Sequence, residues 1–281
     1  MNPIRRLLRG PVRYAQAVLR WRRLSFGDAP PLFGNSKPKS GSHLLLQVLS
    51  GFTHIMPYQN VQAAPVRTIA REGGRRTPQQ ILADLKKIPP GVIGWGYVEA
   101  TPENTAFLCQ PGRINYFIYR DPRDLLISQV FYATDMQESH GMHDYYASLS
   151  DFGARLKVAI TGIDQDDLYM VSVRERYEGV FRWLEQPSVM SLRFEDLINR
   201  RETTLEAMLD HVERNGHTIP VARPRALSLL VESIQPGKSR TFRAGKTGSW
   251  REYFTEAHKK LFKDVAGDLL VRLGYEMDND W

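Results

Sequence analysis

One cysteine, Cys109, stands in a chain of 281 residues, so neither an intrachain disulfide nor a cysteine-built zinc site can form. That usage suits a reducing compartment, and a cytoplasmic protein is the expectation. Long apolar runs are missing as well. None approaches the ~20 residues that span a bilayer, and the first residues lack the apolar segment of a secretory signal. No ligand spacing suggests a metal, and no repeat or low-complexity tract is present.

Acidic residues are absent between Met1 and Gly27, where seven arginines lie: Arg5, Arg6, Arg9, Arg13, Arg20, Arg22 and Arg23. The whole chain has 38 Lys+Arg and 31 Asp+Glu, so 38 less these seven leaves 31 of each sign. The surplus of +7 therefore belongs to an arm of residues 1–27, and the body, residues 28–281, is neutral. A nucleic-acid binder carries a basic face on its body, and no nucleic-acid partner is expected. Ile4, Leu7, Leu8, Val12, Ala15, Val18 and Leu19 recur at helical spacing among the arginines. Such a helix either packs on the body or lies on an anionic membrane surface, a candidate peripheral contact. Gly10-Pro11 is expected to interrupt it.

In the body, strands alternate with helices. Leu32–Ser36 reads as a strand, followed by a small-residue loop from Lys37 to Ser42 and a buried helix through Leu44 and Phe52. Gly91–Val98, Ile114–Tyr119 and Val189–Phe194 read as further strands. Helices are expected over Gln79–Lys87, Arg123–Ala133, Tyr177–Glu185, Leu205–Val212, Arg225–Val231 and Thr255–Leu273. The fold class expected is α/β, a single domain with a central, largely parallel sheet flanked by helices and a P-loop-like phosphate-binding loop after the first strand.

Three segments carry chemistry. In Pro38-Lys39-Ser40-Gly41-Ser42-His43, small residues let the backbone approach an anion at a helix start, and Lys39 adds a mobile positive charge. The Walker spacing G-x-x-x-x-G-K-[ST] is absent. In Tyr119-Arg120-Asp121-Pro122-Arg123-Asp124, followed by Ser128, a planar guanidinium stands at a strand end and a hydroxyl on the next helix. Phe242-Arg243-Ala244-Gly245-Lys246-Thr247-Gly248-Ser249-Trp250 has the basic, Gly-rich character of a loop folding over an anion.

In this order the segments resemble the PAPS-dependent sulfotransferase family, of the soluble cytosolic and bacterial type (PAPS is 3′-phosphoadenosine-5′-phosphosulfate). The first is similar to its P-K-S-G-T-T-W loop, the second to its R-D-P-R-D motif with a helical Ser, and the third to its R-K-G-x-x-G-D-W loop. Leu192-Arg193-Phe194-Glu195-Asp196-Leu197 is similar to its Y/F-E-D-L segment. The resemblance implies transfer of a sulfuryl group from PAPS to a hydroxyl, or an amine, of a small-molecule or lipid acceptor, with no metal. It implies that Lys39, Ser40, Gly41, Ser42 and His43 hold the 5′-phosphosulfate. Arg120, Ser128, Arg243 and Gly245 would hold the 3′-phosphate, and Phe194 would lie near the adenine. Lys39 is the expected catalytic cation against the departing bridging oxygen.

The sequence departs from the family pattern on both the nucleotide and the acceptor side. His43 stands where a loop threonine is usual, Leu44 where an adenine-stacking Trp is frequent, and Ala244 where a lysine is usual. Tyr97 occupies the position of the family's catalytic His, and an unperturbed phenol is a poor base near neutrality. Three readings stand: Tyr97 orients the acceptor while Glu99 takes the proton; His140 or His143 swings in; or the acceptor needs little help. Phe52, Met56, Tyr58, Tyr97, Tyr145 and Tyr146 are candidates for an aromatic acceptor pocket, and Arg67, Arg71, Arg75 and Arg76 for contact with an acidic acceptor. The family's short dimer motif is not matched at Arg251 to Lys260, and no oligomeric state is assigned. The rival readings are a P-loop-type small-molecule kinase and a non-catalytic nucleotide-binding scaffold.

Overall fold

The computed structural model describes residues 9–69, 74–165, 168–235, 237 and 246–281. In chain order these form helix α1 (Arg9–Trp21), strand β1 (Leu32–Ser36), helix α2 (Ser42–Ile55), short strands β2 (Asn60–Val61) and β3 (Val66–Arg67), α3 (Pro78–Lys86), β4 (Val92–Tyr97), α4 (Pro102–Leu108) and β5 (Ile114–Tyr119). Next come α5 (Pro122–Phe131), a π-helical turn (Tyr132–Met136), α6 (His143–Ser148), α7 (Phe152–Thr161), β6 (Ile163–Gln165), β7 (Leu168–Met170), α8 (Val173–Leu184) and β8 (Val189–Arg193). The chain closes with α9 (Phe194–Asn199), α10 (Arg201–Arg214), α11 (Arg223–Ser233), α12 (Trp250–Tyr253), α13 (Glu256–Ala266) and α14 (Leu269–Arg272).

Residues divide into two compact units, Met1–Ile118 with Trp183–Ser239 and Tyr119–Arg182 with Arg240–Trp281. The first holds the main sheet, in the order β2-β4-β1-β5-β8 with β3 beside β4. β1 pairs in parallel with both β4 and β5, and β2 and β3 each pair in parallel with β4. Every residue of β1 is buried, as a central strand covered on both faces must be. Leu45, Val48, Leu49 and Phe52 of α2 join Tyr116 and Ile118 of β5 and Leu205, Met208 and Leu209 of α10 in one core. These side chains recur on α2 at helical spacing, so one face of the helix is buried along its length. The expected α/β class with a largely parallel sheet flanked by helices, and a phosphate-loop-like turn after the first strand, is what the chain adopts.

Past the end of β5, the described residues of the second unit are helical apart from the antiparallel pair β6–β7. Leu125, Leu126, Ile127 and Val130 of α5 are buried with Leu156, Ala159 and Ile160 of α7. Phe131, Phe152 and Tyr253 close one side of that core, with ring centroids 4.7 to 5.4 Å apart.

Several sequence expectations need correction. The helix expected over Thr255–Leu273 is two, because Gly267 takes a φ of +59° after Ala266 and turns the chain before α14. The strand expected to reach Phe194 ends at Arg193, and Phe194 opens α9. α1 opens at Gly10-Pro11, with Pro11 in its first described turn, where the ring is tolerated; Ile4, Leu7 and Leu8 lie outside the described residues. α4 and the short strands β2, β3, β6 and β7 are too brief to show a period, and β2 and β3 have only two residues each; α7 was not expected although Leu156, Ala159 and Ile160 recur at helical spacing.

Candidate active site

The loop between β1 and α2 is built by backbone conformation. Lys39 has a φ of +69° and Gly41 one of +99°, so two alternate residues turn left-handed just before the helix. An L-residue other than Gly or Asn pays for that conformation, and such strain gathers at functional turns. At Gly41 space is short as well, since an added Cβ would lie 2.6 Å from Cδ2 of Phe194. Phe194, from the start of α9, therefore packs directly on the loop, joining two of the segments that the sequence singled out.

No side chain caps the start of α2, so its first N–H groups and the positive end of its dipole suit an anion. Ser42 Oγ is turned inward, accepting from Ser36 Oγ at 2.9 Å and donating to the Lys37 carbonyl at 3.3 Å. Ser40 is buried, with its N–H on the Lys37 carbonyl at 3.2 Å. His43 is exposed on the first turn of α2. Partial desolvation, then the nearby Lys39 charge, push its imidazole below the ordinary histidine value, so at neutral pH it is neutral and offers one N–H.

Tyr97 closes β4. Its ring lies under the Arg67 guanidinium, 5.1 Å from carbon to centroid, and meets Trp95 edge-on at 5.7 Å. The backbone just beyond is tied to β1 by Asn35, whose Nδ2 donates to the Val98 carbonyl at 2.8 Å while its Oδ1 accepts from Val98 N–H at 2.9 Å. Glu99 lies past the strand end; its N–H donates to Thr68 Oγ1 at 3.0 Å and its carboxylate pairs with Arg75. β4 stops at Tyr97, so Glu99 does not share a strand face with it.

In the second unit, Arg120 and Ser128 are half-buried at the start of and along the β5–α5 segment. Arg120 Nη2 donates to the Lys246 carbonyl at 3.2 Å. Asp124, fully buried, accepts from Gly248 N–H at 2.7 Å and Trp250 N–H at 2.9 Å. Burial pushes its carboxyl above the ordinary aspartate value against the pull of Arg120 and those two N–H groups. Thus the two motif ends expected near a 3′-phosphate are knitted together. The two histidines considered as mobile bases are engaged locally: His143 Nδ1 is 2.8 Å from the Ala133 carbonyl, and His140 Nδ1 accepts from Met142 N–H at 3.2 Å. Arg243, Gly245 and Arg71 lie outside the described residues.

The sulfotransferase domain family matches residues 116–274, more than half of the chain. The chain belongs to the sulfotransferase family. As a sulfotransferase it is PAPS-dependent, and its fold is shared by solved members. The structure of mouse sulfotransferase SULT7A1 complexed with PAP superposes with a TM-score of 0.60 at 18% identity, covering 88% of this chain and 85% of that one. A retinol dehydratase in complex with androsterone and inactive cofactor PAP gives 0.58 at 15% identity, covering 85% and 80%. Another, in a complex with retinol and PAP, gives 0.53 at 14%, covering 92% and 86%. None of the curated proteins matches by sequence.

Two buried residues beside the loops of this sulfotransferase, Asn35 and Asp124, make contacts that the sequence did not single out. Asn35 sits mid-strand and reads as core; only its polar amide in an otherwise apolar strand signalled a tie. Arg123 pairs with Asp121 at 2.7 Å, and Asp124 serves the distant loop. Of the aromatic pocket candidates, Phe52, Met56, Tyr58 and Tyr146 are core side chains with 0–1% exposure. Among the described residues no cluster of three or more metal-ligating side chains occurs, and no helix is long and apolar enough to cross a membrane.

Proposed function

We propose that this sulfotransferase holds the 5′-phosphosulfate of PAPS on the Lys39–His43 loop and the 3′-phosphate with Arg120, Ser128, Arg243 and Gly245, with Phe194 near the adenine. The observation that carries the reading is the pair of left-handed residues, Lys39 and Gly41, opening an uncapped helix start directly after the first strand. Such a cradle presents N–H groups to an anion and leaves the Lys39 ammonium beside it. PAPS supplies the activated sulfuryl group. Lys39 neutralises charge growing on the bridging oxygen as that bond breaks, so it acts more strongly on the transition state than on the bound substrate. His43 donates its single N–H to a sulfuryl oxygen, and Tyr97 orients the acceptor. Single-turnover transfer from labelled PAPS tests the assignment: Lys39→Ala is expected to slow transfer ~100-fold or more while binding weakens far less. Binding of PAPS without any transfer, with Lys39→Ala lowering affinity alone, would favour the non-catalytic scaffold.

The acceptor we propose is an apolar small molecule or lipid bearing a hydroxyl, the class to which androsterone and retinol belong in the related structures. The arm of residues 1–27 supports a peripheral membrane contact of this otherwise cytoplasmic enzyme. α1 is fastened by Arg20 and Trp21, which donate to the Thr53 carbonyl at 3.0 and 3.2 Å, and by buried Ala17. That leaves Val12, Leu19 and Leu24 at 51%, 78% and 77% exposure in a segment without acidic residues. Val12 and Leu19, seven residues apart, share one helix face. Apolar side chains ringed by arginine suit an anionic bilayer surface. Sedimentation with phosphatidylserine-containing vesicles should carry the protein down, Leu19→Asp should release it, and equal binding to neutral vesicles would contradict the charge argument.

A further inference from the structure

Arg123 is 2% exposed and lies between two indole rings, 3.9 Å from the Trp250 centroid and 4.6 Å from that of Trp281. Its Nη1 donates to Glu276 at 2.6 Å, and its Nη2 and Nε donate to Asp121 at 2.7 and 3.0 Å. Trp281 is itself held edge-on by Trp250 at 5.5 Å and by Phe262 at 5.7 Å, with Lys263 Nζ over its ring at 5.1 Å. Glu276 and Trp281 lie beyond residues 116–274, the part that matches the family.

The contacts run onward in one direction. Trp250, stacked on Arg123, gives its backbone N–H to Asp124; Asp124 also takes the N–H of Gly248; Arg120 takes the carbonyl of Lys246. Stacking on a desolvated indole is among the stronger cation–π contacts, and a buried guanidinium that loses a partner is costly to the fold around it. We infer that Glu276 and Trp281 are positioning residues: by holding Arg123 against Trp250 they fix the 246–250 backbone and, through Asp124, the guanidinium of Arg120. Neither touches the nucleotide. The inference rests on the assignment of Arg120 and Ser128 to the 3′-phosphate.

Calorimetric titration of the full chain with adenosine 3′,5′-bisphosphate (PAP) and with adenosine 5′-monophosphate, which lacks the 3′-phosphate, separates positioning from plain packing. Trp281→Ala is expected to weaken PAP about tenfold and leave the monophosphate within about twofold, a selective loss of about fivefold or more in affinity. Trp281→Phe, which keeps an aromatic face, should restore most of the loss. Glu276→Gln, a milder change that keeps the side-chain shape, should shift PAP affinity in the same direction by a smaller factor. Equal weakening of both ligands by Trp281→Ala would overturn the inference, as would unchanged PAP affinity in both Trp281→Ala and Glu276→Gln. Arg120→Ala tells the two levels apart. If it weakens PAP and the tail variants do not, only the positioning role falls; if it too leaves PAP untouched, the 3′-phosphate assignment falls with it.

Discussion

The two phosphate-handling regions are made in opposite ways. The Lys39–His43 loop is contiguous in sequence and shaped by its own backbone, with left-handed Lys39 and Gly41 leading into an uncapped helix. The Arg120 region is assembled by side chains across more than a hundred residues, Asp124 reaching Gly248 and Trp250, and Arg123 reaching Glu276. A backbone cradle is specified by a few small residues and is hard to tune. A side-chain assembly can be stiffened or loosened at a distance.

That contrast can be broken from either side. The largest effect is expected at Lys39: Lys39→Ala should cost ~100- to 1,000-fold in single-turnover transfer, the loss typical of removing one preorganised transition-state contact. Gly41→Ala should come next. The left-handed conformation alone costs roughly 1–2 kcal/mol with a side chain, and the new Cβ, 2.6 Å from Phe194, must displace that ring. Titration should show PAP and adenosine 5′-monophosphate weakened together, about tenfold or more. Asp124→Asn should behave differently. An amide carries no charge for the two N–H groups and Arg120, so PAP should weaken about tenfold while the monophosphate is spared. If Gly41→Ala were selective for PAP, or Asp124→Asn were not, the division of labour between the two regions would be lost.

How much of this was legible in the sequence follows from the same contrast. β1, β5 and the loop between β1 and α2 were readable, because each is a run of adjacent residues whose pattern is local: Ile114–Tyr119 is buried throughout and bounded by Gly112 and Asp121-Pro122. The partners of Asp124, Arg123 and Asn35 were not readable, because nothing in their neighbourhood names residues 63 to 153 positions away. Two-residue strands such as β3 were missed for another reason. β3 exists because its partner β4 is there to pair with, and its register sets Arg67 beside Tyr97.

The smallest effect concerns pH. Because His43 is held below its ordinary value, the folded state disfavours its proton, and its contribution to stability is present above ~6.5 and lost as pH falls below that value. Protonation also adds charge beside the phosphates, so PAP affinity should rise as pH falls through the same window. His43→Gln should flatten that rise to the part owed to the ligand's own phosphate ionisation, near pH ~6. Parallel titrations from neutral to mildly acidic pH measure the difference.

The most direct test of the whole account is calorimetric titration of the purified chain with PAP, with and without magnesium, alongside ATP. Tight, metal-independent binding of PAP with no preference for magnesium ATP is the expected result. Preference for magnesium ATP, or no binding of PAP at all, would contradict it and return the loop after β1 to a kinase or to a scaffold.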